Sequence, residues 1–131
     1  MRLVLDTNVV VWLLLGERSA IPAPVASAVA DPAVTSFVSA ASVWEIAIKR
    51  SLGKLTIDPT WSTVLTRLDL DQLPVTAEHA RLVEHLPWHH RDPVDRLLVA
   101  QAQVEECVLV TADRSLDAYD VRTWWEGDLR E

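Results

Sequence analysis

A single cysteine, Cys107, is all the chain carries, so neither a disulfide framework nor a cysteine zinc site can be built from it. Cys107 lies in an apolar run and is expected to pack as a small hydrophobe. Long apolar runs are missing too. The longest, Val9 to Leu15, falls far short of the ~20 residues that a membrane-spanning helix needs. Arg2 ahead of that stretch imitates an export signal, but Asp6, Thr7 and Asn8 interrupt it, and Gly16-Glu17-Arg18 makes a poor cleavage site. A cytoplasmic protein with no membrane partner is therefore expected. Basic residues are the third shortage: 12 Lys and Arg stand against 19 Asp and Glu, for a net charge of −7. Such a balance lacks the basic footprint of proteins that bind phosphate backbones by charge alone. Repeats and low-complexity linkers are also absent. The 131 residues, 50% of them hydrophobic, suit one compact domain spanning 1–131 around a single core.

Proline and glycine punctuate what remains. Gly16 and Gly53 follow helical patterns, and Pro22, Pro32, Pro59, Pro74, Pro87 and Pro93 fall at segment boundaries. Residues 2–6 read as a strand and 7–15 as a helix. A proline-initiated helix follows at 22–30 and a second strand at 34–38. Helical spacing covers 40–52, 60–69, 76–86 (capped by Thr76) and 93–105. A strand at 107–111, short helix or turn material at 114–119 and a last strand at 121–124 complete the series, ahead of a frayed acidic tail, EGDLRE. Strands alternating with helices predict an α/β domain: a mainly parallel sheet between helical layers, with right-handed crossovers.

Four carboxylates sit where apolar elements normally exclude charge. Asp6 ends the run LVLD, and Asp113 follows VLVTAD, so both stand just past buried strands. Ligands of open parallel sheets bind outside the carboxyl ends of the strands, so these two acids can converge across the length of the chain. Asp6 also has a simple reading as a helix cap, with Thr7 or Asn8 positioned to hold its carboxylate. Glu45 lies mid-helix among Val43, Trp44, Ile46, Ala47 and Ile48; an i,i+4 pair with Lys49 is its plain explanation. In RDPVDR, Pro93 at the first helical position gives the cap to Asp92 and leaves Asp95 in the first turn, pointing to the sheet edge. Capping explains Asp113 in isolation as well, with Thr111 and Ser115 in support.

Taken together the four resist dismissal, because clustered carboxylates raise one another's pKa unless a cation resides among them. Magnesium is the natural cation, since it takes one or two carboxylates and keeps positions for water and phosphate oxygen. Two such ions suit in-line cleavage of a phosphodiester by water, and their charge would bring the loaded chain to about −3. Arg91, Arg96 and Arg114, next to the acids in sequence, are candidate phosphate contacts. Lys49, Arg50 and Lys54 offer the same, although a solvated helix end explains them more simply.

Five stretches in order, LDTNVVVWLLLG, SAASVWEIAIKRSLGKL, LPVTAEHA, LPWHHRDPVDRLLVAQAQVE and LVTADRSLDAYDV, make the chain resemble PIN-domain ribonucleases, and more closely the VapC toxins of type II toxin–antitoxin pairs. The resemblance implies a PIN-like three-layer α/β/α fold. It places the family's acids on Asp6, Glu45, Asp95 and Asp113. It further implies Mg²⁺ or Mn²⁺, endonucleolytic hydrolysis of RNA, a homodimer, and inhibition by a cognate VapB antitoxin whose tail enters the acid-lined groove. The chain departs from the pattern at Asn8, where relatives often carry His.

His89 and His90 are adjacent and without a further ligand motif, so a loop or supporting role is favoured over metal ligation. Trp12, Trp44 and Trp61 read as packing residues. Trp124 and Trp125, as neighbours on a strand, are expected on opposite faces, one of them toward a partner. Two rival functions fit less well. A receiver-type phosphoacceptor wants paired acids after the first strand and a Lys after the last, and a dehalogenase-like phosphatase wants Asp where Asn8 stands. A silent PIN-like binding module would have no physical reason to keep uncompensated carboxylates together.

Overall fold

A computed structural model describes residues 1–127; the end of the acidic tail, 128–131, lies outside the described residues. Chain order runs β1 (Arg2–Leu5), α1 (Thr7–Leu15), a 3₁₀ turn (Arg18–Ala20), α2 (Ala23–Ala30), β2 (Thr35–Ser39), α3 (Ala40–Ser51), α4 (Trp61–Arg67) and β3 (Asp71–Leu73). It continues through α5 (Ala77–Leu82) with a 3₁₀ extension (Val83–His85), α6 (Pro93–Glu105), β4 (Val108–Val110), a 3₁₀ turn (Arg114–Ala118) and β5 (Thr123–Trp124). The five strands form one sheet in the order β3-β2-β1-β4-β5, and every neighbouring pair is parallel.

Alternation along the two central strands separates the core into two clusters. Leu3 and Leu5 of β1, with Val108 and Val110 of β4, face α1, α2 and α4; Val4 and Leu109 face the other way, onto α6. Both faces are covered, which gives the three-layer α/β/α arrangement expected of an all-parallel sheet. Leu3, Val4, Leu5, Leu109 and Val110 are fully buried, and each side chain so buried contributes about 1.5–3 kcal/mol.

Helix starts follow the chemistry of their caps. Ser39 accepts from the Ala41 amide at 3.0 Å and starts α3, and Thr76 and His79 form a reciprocal capping box on α5. Asp92 accepts from the Asp95 amide at 3.0 Å, with Pro93 in the first turn of α6. Gly16, at φ 70°, closes α1 in the left-handed conformation.

Three departures from the sequence reading have local causes. β3 is a strand that the sequence does not announce, for it has three residues, Asp71 and Gln72 are exposed, and it forms the sheet edge. The helix expected over 76–86 tightens to 3₁₀ after Leu82, and the last strand shrinks to Thr123–Trp124. Trp125 thus lies past the strand end, free of strand alternation. It joins the same cluster as buried Trp124, its ring 5.6 Å from that of Trp12, so neither tryptophan is turned outward as the pairing suggests. Trp44, expected to pack, is 59% exposed, whereas Trp12 and Trp61 pack as expected.

Candidate functional site

In the order β3-β2-β1-β4-β5 the connections diverge between β1 and β4, and it is there that a doubly wound sheet opens a crevice at its carboxyl edge. Asp6 follows β1 directly. Thr111 and Asp113 follow β4. α6, leading back down to β4, begins at the same edge and carries Asp95 in its first turn. α3, leaving β2 there, carries Glu45 and packs against both α1 and α6.

The side chains confirm that proximity electrostatically. Asp6 is 5% exposed, and its carboxyl is pushed up from the usual range mainly by burial; a hydrogen bond from Thr111 opposes the shift, and the charge of Glu45 adds to it. Asp95 is pushed up to about 7, first by burial, then by the charges of Asp6 and Asp92, with His90 acting against and Glu45 for the shift. Asp113 moves the other way, held low chiefly by the hydroxyl of Ser115. Glu45 therefore acts on both Asp6 and Asp95, Asp6 acts on Asp95, and Asp113 joins them through His90: its Oδ2 is 3.2 Å from His90 Nε2, which is 3.4 Å from Asp95 Oδ2.

Hydrogen bonds dispose of one plain reading and share another. Although Asp6 occupies the cap position of α1, its side chain makes no cap hydrogen bond; Oδ2 instead accepts from the Thr111 hydroxyl at 2.7 Å. Asp113 does both jobs. Oδ1 caps the following turn through the amide and hydroxyl of Ser115, at 2.9 and 2.6 Å, while Oδ2 faces His90. Thr111 also accepts from the Asp113 amide at 3.0 Å, so a single hydroxyl ties the two strand ends together. Glu45 keeps its i,i+4 partner, Lys49 Nζ lying 3.6 Å away.

The supporting residues redistribute. The Thr7 hydroxyl donates to Ser42 Oγ at 2.9 Å in the interior and ties α1 to α3, while the backbone amides of Thr7 and Asn8 act on the Asp6 carboxyl and lower its pKa. Asn8 is exposed. Arg96, expected to touch phosphate, is 2% exposed, its guanidinium donating to the carbonyls of Val83, Leu86, Pro87 and His90 and to the Tyr119 hydroxyl. Trp88 lies over it, 3.7 Å from ring centroid to guanidinium carbon. Arg96 thus organises the loop ahead of α6 and is unavailable to a ligand. Arg114 donates to the Thr111 carbonyl and lies 3.5 Å from Asp117, while Arg91 and Lys49 are exposed. Sequence reasoning undervalued His90 and passed over Ser42. The latter had a signal, a hydroxyl on the inward face of SAASVWE; the former depends on a loop path that no pattern encodes.

Residues 3–122 match the PIN domain family. Among solved structures the chain is similar to VapBC2 from Rickettsia felis bound to a DNA fragment from its promoter: 15% identity, TM-score 0.73, 96% of this chain and 100% of that one covered. VapBC-1 from nontypeable Haemophilus influenzae follows at 16% identity and TM-score 0.62, with 95% and 97% covered. FitAcB from Neisseria gonorrhoeae stands at 18% and 0.57, with 93% and 96% covered. At these identities the likeness is one of fold. No curated protein matches the chain in sequence.

Proposed function

The chain belongs to the PIN domain family, and from that premise we propose that it is a metal-dependent endoribonuclease, the toxin of a type II toxin–antitoxin pair. The observation that carries the reading is the gathering of Asp6, Glu45, Asp95 and Asp113 at the crevice between β1 and β4. Their donor set is all carboxylate oxygen, which suits a hard cation, Mg²⁺ or Mn²⁺. Thr111 engages one oxygen of Asp6 and Ser115 one oxygen of Asp113, so each of these two acids keeps its other oxygen for a cation. The Asp95 carboxyl is pushed up to about 7 first by burial and then by the charges of Asp6, Asp92 and Glu45, and a divalent cation would relieve that second part.

In this reading the four acids hold the cation, which supplies Lewis-acid stabilisation of the phosphate and a more acidic water. Thr111 orients Asp6, and Asp92 fixes the start of α6 under Asp95. Thr7 and Asn8 act on Asp6 through their backbone amides, and the Thr7 hydroxyl also braces α1 against α3 through Ser42. Lys49 and Arg91 are the proposed phosphate contacts. Arg114, already bonded to the Thr111 carbonyl, reaches phosphate only by releasing Asp117. The substrate is RNA and the compartment cytoplasmic; no described helix is long and apolar enough to cross a membrane. A VapB-type antitoxin is the proposed inhibitor, covering the acid-lined crevice, in keeping with the antitoxin complexes among the structural neighbours.

The proposed assembly is a homodimer of single-domain chains, 1–131. Trp44, Ile48 and Leu52 recur at four-residue steps on α3 and its cap and are 59%, 37% and 62% exposed, an apolar stripe open to a partner. Antiparallel pairing of two copies about Ile48 sets Trp44 against Leu52. It also brings the basic end of each α3, Lys49, Arg50 and Lys54, toward the acids of the other copy, which makes a second copy the fitting occupant.

Purified protein incubated with total RNA and Mg²⁺ or Mn²⁺ tests the activity, with EDTA and Asp6→Asn as controls. Cleavage lost in both controls is the expected outcome. If the folded, antitoxin-free protein cleaves no more than Asp6→Asn under any of these conditions, the silent binding-module reading replaces the nuclease.

A further inference from the structure

We infer that His90 is a proton-bearing donor bridging Asp95 and Asp113, which the cation must displace, and not one of the cation's ligands. The inference rests on the metal reading above and concerns the same site. Distance alone points the other way: the ligand atoms of His90, Asp95 and Asp113 all lie within 4.8 Å of one another, a spacing that admits a histidine–carboxylate metal set. The second ring nitrogen decides. The Asp92 amide donates to His90 Nδ1 at 3.1 Å. A ring nitrogen that accepts a hydrogen bond carries no proton, so in the neutral imidazole the proton sits on Nε2. Metal-binding histidines have the reverse arrangement, a bare nitrogen on the metal and an N–H given to an acceptor.

Nε2–H is therefore a donor, and the oxygens it addresses are Asp113 Oδ2 at 3.2 Å and Asp95 Oδ2 at 3.4 Å. Asp113 Oδ1 is taken by Ser115, so the oxygen facing His90 is the one left for a cation. A cation bonded to both Oδ2 atoms and an N–H aimed between them claim the same position. His90 cannot share it by a small shift of the loop. Its own amide donates to the Tyr119 hydroxyl at 3.0 Å, that hydroxyl also accepts from buried Arg96 at 3.2 Å, and the Asp92 amide is fixed at the cap of α6. Room for the cation comes from rotation of the ring, at the cost of the bonds to the Asp113 carboxylate and the Asp92 amide and of the 3.4 Å contact with Asp95. His90 is thus a positioning residue that holds the two acids at a set spacing and competes with the ion they hold.

Calorimetric titration with Mn²⁺ of the wild type, His90→Ala and Asp6→Asn tests this, together with the ¹⁴N modulation of the bound Mn²⁺ in pulsed electron paramagnetic resonance. Removing a competing donor is expected to tighten the Mn²⁺ Kd on the order of two- to tenfold, the scale of the hydrogen bonds released. The wild-type spectrum is expected to show no directly coordinated imidazole nitrogen. An unchanged or weakened Kd in His90→Ala, or a coordinated ¹⁴N in the wild type, overturns the inference while leaving the metal site standing. The spectrum needs no variant, so the test survives if His90→Ala folds poorly. Mn²⁺ binding that is absent from the wild type, or identical in Asp6→Asn, removes the metal reading itself and this inference with it.

Discussion

Burial and the charges of Asp6, Asp92 and Glu45 keep Asp95 neutral to about pH 7, some three units above its unfolded value. A carboxyl raised in the folded state adds nothing to instability below the unfolded pKa. Between there and about 7 the unfolded chain sheds the proton more readily than the native one, and stability drains away as pH rises. Asp95→Asn in EDTA should therefore be more stable than wild type at pH 8, by about 1–3 kcal/mol, and equal to it near pH 4. Urea unfolding at the two pH values measures this; a variant that is less stable at pH 8 contradicts it. The positions of Asp6, Asp113 and Asp92 were legible because strand ends and a proline-led helix start each leave a residue-level mark. His90 was not, since its partners come from a loop whose course is set by Arg96 and Tyr119.

At the scale of elements, α6 does more than cover the sheet. Its Arg96 gathers four carbonyls from Val83 to His90, so the helix and the loop before it form one unit. In the sequence that arginine shows only as a charge beside an acid, and nothing there distinguishes a phosphate contact from a buried anchor. Arg96→Met keeps much of the volume and orphans the carbonyls, and should cost on the order of 3 kcal/mol in chemical unfolding. A loss under about 0.5 kcal/mol would show that water replaces the guanidinium. The long helices and the inner strands were readable from periodicity and β-branched runs; β3 escaped because a three-residue edge strand with two exposed polar residues has no period to display. Exposed Trp44 misled for a related reason. Its neighbours are mostly apolar, so the sequence records the hydrophobicity of the helix but not which face looks outward.

For the whole molecule, the α3 stripe predicts self-association. Light scattering behind a sizing column should give twice the chain mass for the wild type and the monomer mass for Trp44→Ser with Leu52→Ser, with unchanged circular dichroism. A monomeric wild type leaves the stripe without a second copy to cover it. The parallel sheet has another bearing, on the order of events in folding. β1 stands at its centre and pairs on one side with β2 and on the other with β4, so Asp6 meets Thr111 across a separation of 105 residues. Parallel pairings of such long sequence separation form late in folding. A chain without the segment after α6 holds Asp6, Glu45 and Asp95 but neither Thr111 nor Asp113, so Asp6 is left without its hydroxyl partner and the crevice without its β4 wall.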